Sequence, residues 1–204
     1  MKSKLAARVA ASTLGAAATL PPVAAQAHTG VHMFEHGDSF LGGLVHPILG
    51  PDHLVAMVAI GLWAACLGGR AILGVPLAFV GMMIAGAVLG AAGVFLPAVD
   101  QTIAVSLVVF GLMICTLARL PVPMAAVLGG IFAVFHGHAH GAETPDLAQP
   151  LLYGAGFIAS TLLLLGLGTA IGLVSRRSVP DFVVRSAGAA VALFGIVTVI
   201  GQIG

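Results

Sequence analysis

His46-Pro47-Ile48-Leu49-Gly50-Pro51-Asp52-His53 interrupts an otherwise apolar run from Phe40 to Leu67. An apolar run of this length is a membrane span, because about 20 residues of helix cross the hydrocarbon core. Inside it stands a carboxylate, which costs at least about 2.5 kcal/mol near the bilayer centre even on the lenient insertion scale. Asp52 must therefore have a partner: a bound cation, a neighbouring histidine or a proton. In an unbroken helix His46 and His53 would share a face yet stand about 10 Å apart along the axis. A transition-metal ion needs imidazole nitrogens within roughly 2.1 Å. One ion can use both histidines only if the helix breaks between them, and Pro47, Gly50 and Pro51 supply the break. Irregular backbone at this depth is tolerated only where it lines protein or a wet cavity.

Outward from this stretch the chain is apolar almost throughout. Of 204 residues 59% are hydrophobic and 7% charged, with mean hydropathy +1.13, more apolar surface than one water-facing domain could bury. Further apolar segments run from Ala71 to Phe95, Thr102 to Ala118, Val122 to Phe135, Pro150 to Val174 and Phe182 to Ile203. The expected fold is an all-α integral membrane protein with six transmembrane helices, the first of them broken at the Pro/Gly motif. Residues 39–204 would form the six-helix transmembrane domain. Gly86 with Gly90 and Gly168 with Gly172 stand at the small-xxx-small spacing of closely packed helices.

Before the first span, Met1 to Ala27 has a basic start, a short apolar stretch from Val9 to Leu20, Pro21-Pro22 and an Ala25-Gln26-Ala27 ending. This pattern predicts a signal peptide cleaved after Ala27. An extracytoplasmic tail, residues 28–38, would follow. It carries His28, His32 and His36, at a spacing of four, with Glu35 and Asp38 beside them, and so offers either a metal-capturing or a merely solvated segment. With the mature N-terminus outside, Arg70, Arg119, Arg176, Arg177 and Arg185 all fall in or beside cytoplasmic loops, as the positive-inside rule requires. All eight histidines then fall on the outer side or in the outer half of a helix. Six spans return the C-terminus to the outside as well.

Several function classes drop out. Net charge is +1, no lysine follows Lys4, and the early basic residues lie in the removable segment. That leaves no basic patch for nucleic acid and no P-loop lysine for ATP. Cys66 and Cys115, the two cysteines, sit in apolar runs and read as small core residues. The second polar cluster, His136-Gly137-His138-Ala139-His140-Gly141-Ala142-Glu143, ends the fourth segment. Its His136 and His140 are four apart and share a helical face, whereas His138 points away unless the helix stops first. Glycines 137 and 141 weaken a helix there, so a loop remains open as a reading. Imidazole with carboxylate suits Ni, Co, Zn or Fe, and the lack of nearby thiolate argues against a soft Cu(I) site. Met57 reads as core packing.

Together, His46-Pro47-x-x-Gly50-x-Asp52-His53-x-x-x-Met57 and Phe135-His136-Gly137-x-Ala139-His140-Gly141-x-Glu143 resemble the HupE/UreJ family over the whole chain. The resemblance implies secondary uptake of nickel, or cobalt, across a bacterial inner membrane, with Zn2+ and Fe2+ as lesser candidates for the ion. It carries over His46, Asp52, His53, His136 and His140 as transport residues, with Glu143 as an outer ligand. The partners expected are the divalent ion and the lipid bilayer, with no ATP, no nucleic acid and no catalytic cofactor; a homo-oligomer stays open. The chain would not be an enzyme. Two rivals from other classes are a membrane haem protein with axial histidines and an intramembrane metal hydrolase, the latter without an H-E-x-x-H motif.

Overall fold

The computed structural model describes residues 39–143 and 149–203. The expected signal peptide, residues 1–27, and the tail with His28, His32 and His36 lie outside the described residues. Seven helices account for nearly all the rest: α1 (Phe40–Leu49), α2 (Pro51–Leu67), α3 (Ala71–Ala91), α4 (Val99–Thr116), α5 (Val122–Glu143), α6 (Pro150–Ser178) and α7 (Asp181–Ile203). Helices α3 to α7 are each long and apolar enough to cross a membrane, and α1 with α2 forms a pair bent by 84°. Counted as one crossing, that pair brings the number to six. The chain is a multi-pass membrane protein.

The break between α1 and α2 falls where proline and glycine put it. Gly50 closes α1 with its N–H on the His46 carbonyl and, at φ −86° and ψ 102°, leaves the helical region. Pro51 then opens α2 at a position where a missing N–H costs nothing, since the first helical donors have no partner in any case. Ser39 starts α1 as its N-cap, its side chain accepting the Gly42 N–H at 3.2 Å.

A second boundary differs from the sequence reading. The fourth apolar segment was expected to stop at Phe135, but α5 continues to Glu143, so His136, His138 and His140 are all helical. Glycines 137 and 141 do not end the helix because α3 covers them. A methyl group at Gly137 would strike the Met83 carbonyl, and one at Gly141 the Ala87 carbonyl, so the two backbones touch there. Gly86 and Gly90 make the reciprocal contact, against Val134 and against His138 and Ala142. In the same way Gly61 and Gly168 lock α2 to α6, Gly43 and Gly156 lock α1 to α6, and Gly111 and Gly188 lock α4 to α7. In lipid, where tails are as apolar as leucine, such close approach replaces the hydrophobic effect as the force between helices.

Trp63, Phe79, Phe110, Met57 and Met83 fill the interior, with Trp63 stacked on Phe110 at 6.3 Å between ring centres. Leu73, Leu77, Leu163 and Leu193 point outward and are more than half exposed, the arrangement a hydrocarbon solvent permits. The α2–α3, α4–α5 and α6–α7 turns gather at one end of the bundle. There Arg176 donates to the Ala65 carbonyl at 2.8 Å and Arg185 to the Cys115 carbonyl at 3.2 Å, each satisfying the last turn of a neighbouring helix. All five arginines of the described residues lie at or near this end.

Candidate metal centre

At the other end, the bend turns His46, in the last turn of α1, and His53, in the first turn of α2, toward the same point. Between them comes α5. The ring centres of His46 and His140 lie 4.8 Å apart, those of His140 and His53 4.4 Å, and those of His53 and His136 5.0 Å. Four imidazoles from three helices thus form one continuous cluster. Two motifs separated by more than 80 residues of sequence meet in space.

Glu143 extends the cluster outward. One ligand atom each from His46, His140 and Glu143 fall within 4.8 Å of one another. Ligands arranged tetrahedrally with bonds near 2.1 Å stand about 3.4 Å apart, so a contraction of up to about 1.4 Å would bring this trio within reach of a single ion. Glu143 is exposed at the helix end, whereas His136, seven residues further in, is wholly buried. From Glu143 to His136 these side chains descend about 10 Å from surface to interior along α5.

Asp52 has two compensations visible in the fold. It occupies the first turn of α2, where the positive end of the helix dipole favours a carboxylate. Its Oδ1 also accepts the backbone N–H of His53 at 2.9 Å and faces His53 Nδ1 at 3.0 Å. A carboxylate accepts, so Nδ1 carries the hydrogen and Nε2 keeps the lone pair. That Nε2 is buried and has no hydrogen-bond partner among the described residues. This is the carboxylate–histidine arrangement that orients metal-binding imidazoles in many proteins. Asp52, expected from the sequence to bind the ion, thus holds the His53 ring in position in this structure.

His138 goes elsewhere. Its Nε2 donates to the Val94 carbonyl at 2.6 Å, tying α5 to the turn between α3 and α4 and facing away from the cluster. Met57 is fully buried among core residues, as packing predicts. Cys66 and Cys115 are free thiols outside the cluster.

The surroundings are aromatic and apolar. Phe157 of α6 lies 4.2 Å from the His140 ring, Tyr153 5.8 Å from His46, and Phe79 of α3 5.8 Å from His136. An apolar cleft of about 410 Å³ between α3, α5 and α6 reaches His140 and is lined by Met83, Ala87, Tyr153, Phe157 and Ile158. None of these neighbours carried a signal in the sequence, because a phenylalanine or tyrosine in an apolar span is indistinguishable from any other packing residue. Ser106 of α4 was missed for the same reason; its Oγ lies 3.2 Å from His136 Nε2.

A family profile described as HupE / UreJ protein matches residues 16–198. The chain belongs to the HupE/UreJ family. It is also 45% identical over 192 residues to the protein HupE of Rhizobium leguminosarum bv. viciae, an alignment that covers 93% of this chain and 97% of that one. No solved structure matches. In this HupE/UreJ chain the histidine cluster belongs to the two motifs that carried the resemblance.

Proposed function

We propose that the protein is a secondary uptake permease for nickel, or for a similar divalent ion such as cobalt, in a bacterial inner membrane. The observation that carries this reading is the convergence of His46, His53, His136 and His140 with Glu143 in the histidine-bearing end of a lipid-facing bundle. Neutral imidazoles with carboxylates are the donor set that nickel, cobalt, zinc and iron accept. The mature N- and C-termini would be periplasmic, because the arginines crowd the opposite end. A hydrated ion would meet Glu143, His46 and His140 first, exchange water for imidazole, and pass inward to His53 and His136, with Asp52 both orienting His53 and offsetting the ion's charge. Release faces the cytoplasm. Nothing in this sequence of events makes or breaks a covalent bond of the cargo, so the chain acts as a carrier and not as an enzyme. Protons compete for the same lone pairs, so acidification outside would weaken loading.

The test is uptake of radiolabelled nickel by cells that make wild-type protein, His140→Ala or Asp52→Asn at equal membrane levels, with cobalt, zinc and iron as competitors. Loss of a ligand or its orienting partner is expected to lower uptake by about 10-fold or more. Wild-type accumulation by both variants would refute the reading. The order of competition among the ions would rank the cargo.

A further inference from the structure

Ser106 stands on α4, a helix that supplies none of the motif residues, yet it is fully buried and in contact with the most deeply placed imidazole. Its hydroxyl carries one hydrogen. That hydrogen is committed, because Ser106 Oγ lies 2.6 Å from the Ile103 carbonyl oxygen, which can only accept. The 3.2 Å contact between Ser106 Oγ and His136 Nε2 must then run the other way, with the ring N–H donating to the serine oxygen. In a neutral imidazole this leaves the lone pair on Nδ1. His136 Nδ1 is buried and has no hydrogen-bond partner among the described residues.

We infer that Ser106 is a positioning residue that fixes the tautomer and rotation of His136, so that Nδ1 keeps its lone pair available to a divalent metal ion in the cluster. The inference rests on the proposed metal site and names a component of it that neither motif contains. It parallels the pair on the other side: Asp52 holds His53 through Nδ1 and frees Nε2, and Ser106 holds His136 through Nε2 and frees Nδ1. The two freed nitrogens belong to rings whose centres are 5.0 Å apart. Without the serine oxygen, His136 would be free to adopt the other tautomer, or to turn its lone pair toward the former serine position, and part of the population would be unable to ligate. A hydrogen-bonded partner of this kind is worth about 10–100-fold in metal affinity.

The measurement is equilibrium nickel binding, with nickel salt alone as probe, to the full chain purified in detergent, alongside each variant's melting midpoint. Ser106→Ala is expected to raise the nickel Kd by about 10–100-fold, with only the modest fall in melting midpoint that one lost buried hydrogen bond brings, and Ser106→Thr, which keeps the hydroxyl, to restore binding close to wild type. His136→Ala separates the two levels of the argument. If His136→Ala loses nickel while Ser106→Ala keeps the wild-type Kd, the inference falls and the metal site stands. If His136→Ala itself binds like wild type, the site reading falls and the inference with it. A loss in Ser106→Ala that Ser106→Thr does not recover would reduce Ser106 to a packing role and also overturn the inference.

Discussion

His138 shows how finely the α5 cluster divides its labour. It lies midway between His136 and His140, but its ring reaches the Val94 carbonyl and takes no part in the cluster. His138→Ala should therefore leave nickel uptake unchanged while costing about 1 kcal/mol of stability for the lost hydrogen bond, seen as a lower melting midpoint. A transport defect equal to that of His140→Ala would contradict the geometry. Helical spacing alone made this distinction legible, since residues four apart share a face and a residue between them does not. The roles of Asp52 and Ser106 were less legible. An intramembrane carboxylate announces that it needs a partner, but whether it touches an ion or holds His53 depends on the bend. A single serine in an apolar run announces nothing.

Among the helices, glycine decides spacing. At Gly137 an added methyl would meet the backbone of α3, which cannot swing aside as a side chain would. Gly137→Ala is expected to cost about 1–3 kcal/mol through forced separation of α3 and α5. It should weaken nickel binding as well, because His136 and His140 would move with α5. Gly81→Ala, where nothing lies within 4 Å, is the matched control and should preserve both properties. Melting midpoints and nickel titrations of the two variants make the comparison. The sequence placed the apolar segments within a few residues of the helices, because length and hydropathy bound them. It left the fourth segment eight residues short, since histidine and glycine read as loop when α3 is not there to bury them. Which helices pair was not readable either: spans that are apolar on every face give no periodic clue to their neighbours.

Across the described residues, the arginines lie at one end and the histidine cluster toward the other. If the arginine end faces the cytoplasm, a cysteine placed at Phe95, which is 85% exposed between α3 and α4, should react with an impermeant maleimide in intact cells. One placed at Arg119 should react only after the membrane is opened. The background for both is a chain with Cys66 and Cys115 replaced by alanine; the opposite pattern would invert the topology. This segregation could be read from sequence because arginine counting needs only the order of the spans. The meeting of two distant motifs could not, as it depends on an 84° turn that composition permits but does not measure.

The glycine contacts sort the helices into groups, α1 and α2 against α6, and α3 against α5. The histidine cluster straddles the seam between these groups, with His46 and His53 on one bank and His136 and His140 on the other. Coordination bonds tolerate only about 0.2 Å of error. In the proposed permease, a slide of one bank past the other by a fraction of an atom's width would therefore be enough to turn a tight grip into a loose one, and whatever force moved the banks would govern when the cargo lets go.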